Sequence, residues 1–118
     1  MTPSQLIQWQ WTDYSKYHLS RNNLLLHIVA VPSFLIANIT LVLALLQGNW
    51  IKALLALLVM ALSFAAQAVG HGKEANPSIP FASPANAFGR IFAEQWINFP
   101  RYVLSGGWYR SLGASKNA

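Results

Sequence analysis

Residues 24–46 contain no Lys, Arg, Asp or Glu, and residues 50–69 contain a single charge, Lys52. Each run matches the roughly 20 apolar residues that carry a helix across a bilayer, and only Gln47, Gly48 and Asn49 separate them. So short a connection forces the second helix back antiparallel beside the first. The sequence therefore predicts an all-α integral membrane protein, one domain over 1–118. Its frame is a two-helix transmembrane hairpin, with helices over 24–46 and 50–70. Lys52 can reach out to the tip, and Trp50 suits the interface. Charged residues make up only 9% of the chain, against about 25% in soluble domains. That is too little polar surface to coat a globule in water.

The net charge is +5. Because the basic residues are scattered singly around apolar spans, anionic lipid headgroups are the expected counterpart, and nucleic acid is not. Seven of the eight (Lys16, Arg21, Lys73, Arg90, Arg101, Arg110, Lys116) fall on the side that holds both termini. The positive-inside rule then places both termini in the cytoplasm; in a bacterium the membrane would be the inner one. There is no cysteine, which excludes disulfides, thiolate metal sites and a Cys nucleophile. The first twenty residues do not read as a cleavable signal peptide.

Helices flank the hairpin. Thr2, Pro3 and Gln5 supply an N-cap, a first-turn proline and the Gln of a capping box, starting an interfacial helix over 3–20. It would align Ile7, Trp11, Tyr14 and His18 in one stripe. Arg21, Asn22 and Asn23 form a plausible break. Residues 76–84 hold three prolines and cannot be regular helix. A second interfacial helix is expected over 85–99, with Phe88, Ile91, Phe92 and Phe99 on one side, an Arg90–Glu94 pair elsewhere, and Pro100 as its stop. The tail 101–118 receives no assignment.

Polar residues near the open end of the hairpin carry what chemistry there is. Counting outward from a tip at Gly48 puts His27 level with Gly70 and His71, and His18 arrives at the same depth. Asn23 and His27 share one helical face; Gln67, His71 and Glu74 share another. The plain readings are an interfacial imidazole for His18, a solvated charge for Glu74, interhelical hydrogen bonding for Asn38 and Thr40, and a kink at Pro32. Ionisable groups inside a span are costly and point to function, which favours a site at His27 and His71. Three imidazoles and a carboxylate at one depth suffice to hold a metal ion. Two His with one carboxylate is the facial set of non-haem iron(II) oxygenases, and imidazole also suits zinc.

Two motifs then carry a family resemblance. Tyr14-x-x-Tyr17-His18 is followed by Asn23, His27 and Pro32, and Gln67-x-x-Gly70-His71-x-x-Glu74 by Pro77 and Pro80. From about residue 14 to 84 the chain resembles the small membrane-embedded iron(II)-dependent 2-hydroxy fatty acid dioxygenases. It departs in carrying Ala30 where Gly is usual, and in having Glu74 one residue nearer the histidine than many members do. The resemblance implies an Fe(2+) cofactor held by His18, His27 and His71. Glu74 becomes a fourth ligand or a group orienting an imidazole, and Asn23 and Gln67 hydrogen-bonding partners behind the ligands. It implies fatty acid α-oxidation, in which O2 and a 2-hydroxy fatty acid give the acid one carbon shorter, with Arg21 or Lys73 pairing with the carboxylate.

Three other readings stand beside it: a small haem-binding protein with His27 and His71 as axial ligands, a non-catalytic structural hairpin, and a zinc hydrolase. Because two spans bury little protein surface, a homo-oligomer is also expected.

Overall fold

The computed structural model describes residues 1–115, and among them every regular element is a helix and none a strand. Lys116 and the end of the tail lie outside the described residues.

The first helix, α1 (Pro3–Thr12), opens on the expected capping box. The Gln5 N–H donates to Thr2 Oγ1 at 3.1 Å and the Thr2 N–H to Gln5 Oε1 at 2.9 Å. It does not run on to residue 20. A 3₁₀ turn over Tyr14–Tyr17 replaces it, with i→i+3 bonds from Lys16 to Asp13 and from His18 to Ser15. The tighter turn removes Tyr14 and His18 from the stripe of Ile7 and Trp11 and turns both inward, each 3% exposed.

Ser20 caps the next helix, α2 (Arg21–Leu46), through the Asn23 N–H. After three residues α3 (Trp50–His71) follows. At 1.5 Å per residue they span roughly 39 and 33 Å, each more than the ~30 Å of a hydrocarbon core. Only 28% of each apolar window is buried; Val29, Ile36, Ile51 and Leu54 all stand exposed. Both helices are thus long and apolar enough to cross a membrane.

Small residues line the contact between them. Asn23, Ala30, Ala37 and Ala44 recur every seven residues on α2, as do Ala56, Ser63 and Gly70 on α3, and all are buried. A seven-residue period keeps one seam facing its partner, and small side chains let two backbones approach closely. Ser63 Oγ donates to the Ala30 carbonyl. A Cβ on Gly70 would fall on the Asn23 side chain and within 3.3 Å of its Cα. These pairings lie four residues short of the partners that a count outward from Gly48 assigns. The cause is the connection, which folds back over α2 instead of arching beyond it. Gly48, at φ 65°, donates to Leu45 and Asn49 donates to Ala44, the two bonds of a Schellman turn.

No helix interrupts residues 72–83, where Pro77 and Pro80 fall. Then α4 (Pro84–Ala93), capped by Ser83, passes through a wide π turn (Glu94–Asn98) into α5 (Phe99–Leu104). Pro100 does not end this helix. Phe99 N–H bonds Glu94 O, five residues back, and the widened turn relieves the clash a proline ring makes with the carbonyl four residues before it. The unassigned tail is helical too: Gly106, at φ 82°, turns the chain into α6 (Gly107–Ala114). Helix α1 lies against α4 and the wide turn. The core gathers Tyr14, Leu24, Val31, Phe99, Tyr102 and Trp108 beside the first turns of α2. Midway along α2, Asn38 Oδ1 accepts from Trp96 Nε1 at 3.1 Å, so its hydrogen bond crosses to the wide turn and not to α3.

Candidate metal centre

Three elements deliver one histidine each: His18 ends the 3₁₀ turn, His27 sits two turns into α2, and His71 is the last residue of α3. Ring centroids lie 4.7 Å apart for His27 and His71, 5.1 Å for His18 and His71, and 5.4 Å for His18 and His27. One ring nitrogen from each falls within 4.8 Å of the others, close enough to share a metal ion.

Their hydrogen bonds fix which nitrogens are free. His18 Nδ1 lies 2.6 Å from the Tyr14 carbonyl and His27 Nδ1 3.0 Å from the Asn23 carbonyl. A carbonyl only accepts, so each Nδ1 carries the hydrogen and leaves the Nε2 lone pair unused. Both Nε2 atoms are buried without a partner, and so is His71 Nδ1. Buried nitrogens left unpaired cost stability, and a cation satisfies all three at once. A backbone carbonyl behind an imidazole is the usual means of orienting a metal-bound histidine. Burial, and after it the neighbouring His27 and His71, holds His18 well below the ordinary imidazole pKa, so the ring stays neutral as a ligand must. The donor set fits a divalent metal.

Glu74 does not join the three. Its Oε1 accepts from the Leu19 and Ser20 N–H groups at 2.8 and 3.1 Å, and its Oε2 from Asn23 Nδ2 at 2.6 Å and Ser20 N–H at 3.1 Å. The carboxylate is consumed in capping the start of α2, where the helix dipole also favours it. Asn23 reaches His27 through its backbone carbonyl, not its side chain. The Gln67 amide hydrogen-bonds Gln95 and Ser63 and no imidazole; with Gln95 it forms a reciprocal amide pair, at 2.9 and 2.6 Å. Arg21 donates to Ser115 Oγ, and Lys73 lines a separate groove.

The carboxylate beside the histidines is Glu94, on the wide turn. Its Oε1 lies 3.8 Å from His18 Nε2 and accepts from Tyr14 Oη at 2.7 Å. Burial pushes its pKa up to about 7, against the Tyr14 hydrogen bond, and burial then the Glu94 charge raise that of Tyr14. Tyr14 also stacks on His18, centroids 4.0 Å apart. Glu94 does not pair with Arg90: among the described residues no Lys or Arg nitrogen lies within 4 Å of a carboxylate oxygen, and the basic group nearest Glu94 is the neutral His18. The i, i+4 spacing read as a surface pair because nothing local to 85–99 reveals that α1 and the 3₁₀ turn cover that face.

His18, His71 and Glu94 open onto a cleft of about 570 Å³, within the range of small-molecule sites. Its walls are largely apolar, with Phe64 and Ala68 from α3 and Ile79 and Phe81 from the loop, and Arg90 stands among them. Phe64 lies seven residues before His71, roughly 10 Å along the helix axis.

A family model described as 2-hydroxy-palmitic acid dioxygenase Mpo1-like matches residues 4–97, most of the chain. No curated protein and no solved structure matches it.

Proposed function

The chain belongs to the 2-hydroxy-palmitic acid dioxygenase Mpo1-like family, and we propose that it is a membrane-embedded non-haem iron(II) dioxygenase shortening a 2-hydroxy fatty acid by one carbon. The observation that carries this reading is the trio of buried, unpaired imidazole nitrogens, two of them on histidines that line a largely apolar cleft. Bound there, ferrous iron would supply the redox centre through which O2, as four-electron oxidant, breaks the C1–C2 bond, so that C2 becomes the new carboxyl and C1 leaves as CO2 with one water.

The chain's own residues do the rest. His18, His27 and His71 hold the ion as neutral donors; the carbonyls of Tyr14 and Asn23 keep the first two aimed. Tyr14, stacked on His18, shields it from water and gives Glu94 its hydrogen bond. The acyl chain runs from His71 toward Phe64, in the direction of the exposed apolar flank of α3. In this reading α2 and α3 cross the bilayer as an antiparallel hairpin, with both termini and the histidines at the cytoplasmic boundary. Such a placement lets a fatty acid keep its tail in lipid while its head reaches the metal.

Anaerobic purification followed by metal analysis tests the reading. The expected result is one iron per chain, lost in His27→Ala and His71→Ala, and O2-dependent conversion of 2-hydroxyhexadecanoic acid to the acid one carbon shorter. Zinc alone, no metal, or a Soret band from haem would overturn it.

A further inference from the structure

A cleft that takes an ionised acid needs a cation to receive it, and Arg90 is the one Lys or Arg among the described residues that line it. The guanidinium is fixed in place. Its carbon sits 5.3 Å from the Trp9 ring centroid and 4.6 Å from that of Phe81, and one Nη donates to the Pro80 carbonyl at 3.2 Å. Its Nε is buried without a partner, and no carboxylate of the described residues lies within 4 Å of it. A cation held against apolar walls with an unused donor is expensive to maintain. A planar fork of N–H groups is the geometry that takes a carboxylate through two hydrogen bonds.

Its position agrees. Arg90 precedes Glu94 by four residues on one helix, and Glu94 touches His18. About one turn, ~6 Å along the axis, therefore separates the Arg90 backbone from that of Glu94, and Arg90 lines the same cleft as His18 and His71. Arg21 and Lys73, the cations that the sequence offers for this task, both lie outside the lining of this cleft. Resting on the dioxygenase reading, we propose that Arg90 is the carboxylate receptor of the cleft, binding the ionised head of the fatty acid and selecting acids over their uncharged analogues.

Calorimetric titration of the metal-free protein in a neutral detergent tests this without turnover. 2-Hydroxyhexadecanoic acid should bind wild type about 10–100-fold more tightly than its methyl ester, the loss expected for one charged hydrogen-bonded contact. Arg90→Gln should remove that preference with the iron stoichiometry unchanged, and Arg90→Lys should restore part of it. Equal affinity of wild type for acid and ester overturns the proposal, even if Arg90→Gln fails to fold. So does an acid preference that survives in Arg90→Gln, or displacement of the acid by phosphatidylglycerol at similar affinity, which would mark a headgroup site. Arg90-dependent binding by a protein that carries no iron and shows no turnover would sink the dioxygenase reading and leave the receptor standing.

Discussion

Two glutamates stand near the three histidines, and their partners separate their roles. Glu74 gives all its acceptor capacity to the Leu19 and Ser20 N–H groups and the Asn23 amide. Truncating it leaves those donors unpaired in a buried place, where hydrogen bonds to a charge are worth about 1.5–3 kcal/mol. Glu74→Ala should therefore cost roughly 2–4 kcal/mol in an unfolding titration, while the folded fraction still binds iron. Loss of iron from folded Glu74→Ala would return Glu74 to the ligand set. Glu94 touches His18 and nothing at the start of α2. Glu94→Gln keeps an acceptor for Tyr14 but removes the charge beside the free Nε2 of His18, and should weaken iron in a chelator competition by at least the roughly 10–100-fold that losing a group outside the ligands costs. Unchanged affinity would show that Glu94 contributes nothing to the ion. The sequence motif drew Glu74 toward the metal because it lies three residues from His71, and three along a helix is one face. The helix ends at His71, however, and the chain beyond it turns the carboxylate toward Ser20.

At the scale of elements, the site depends on how closely α2 approaches α3. Position 70 has no space for a side chain, because Asn23 lies where a Cβ would go, and the Asn23 carbonyl in turn orients His27. Gly70→Ala should thus cost about 1–3 kcal/mol through overpacking and lower iron affinity as well. Gly113→Ala, whose added Cβ meets nothing within 4 Å, should do neither. Unfolding titrations and iron binding on the two variants decide it; equal behaviour would mean that the seam does not set the site. The two apolar helices could be read from sequence because each is a long run with a single periodicity and no breaker other than Pro32. The heptad of small residues was equally present in the sequence, but it becomes a register only once the Gly48 turn fixes which residues meet. Pro100 misled for a physical reason. A proline stops an α-helix, but after a π turn the carbonyl it would strike has moved aside, and nothing in the run from Glu94 to Asn98 announces that turn.

Across the whole molecule the histidines gather at one end and the Gln47–Asn49 connection marks the other. The length of α3, roughly 33 Å, separates them, and that distance makes the membrane reading testable. The chain has no cysteine, so each introduced thiol reports alone. Gln47→Cys sits in the connection, and Ser78→Cys in the loop after α3, on the side of the histidines; both positions are exposed. A hairpin with cytoplasmic termini requires that a membrane-impermeant maleimide label Gln47→Cys in intact cells and label Ser78→Cys only after lysis. Labelling of both from outside, or of neither, would mean that α2 and α3 do not cross, whatever their length and apolarity. The reverse pattern would keep the crossing but place the iron site on the far side, away from the cytoplasm. The distribution of charge argues against that outcome. Lys52 is the one Lys or Arg in the connection or the first turn of α3, whereas Lys16, Arg21, Lys73, Arg90, Arg101 and Arg110 cluster at the histidine end. Moving that many cations across the bilayer opposes the bias that sets orientation. The proposed substrate gives a second reason for the crossing. A fatty acid would keep its tail in lipid while its head met the ion proposed for the histidines, and a site at the end of a spanning pair would meet both requirements without a tunnel through a soluble domain.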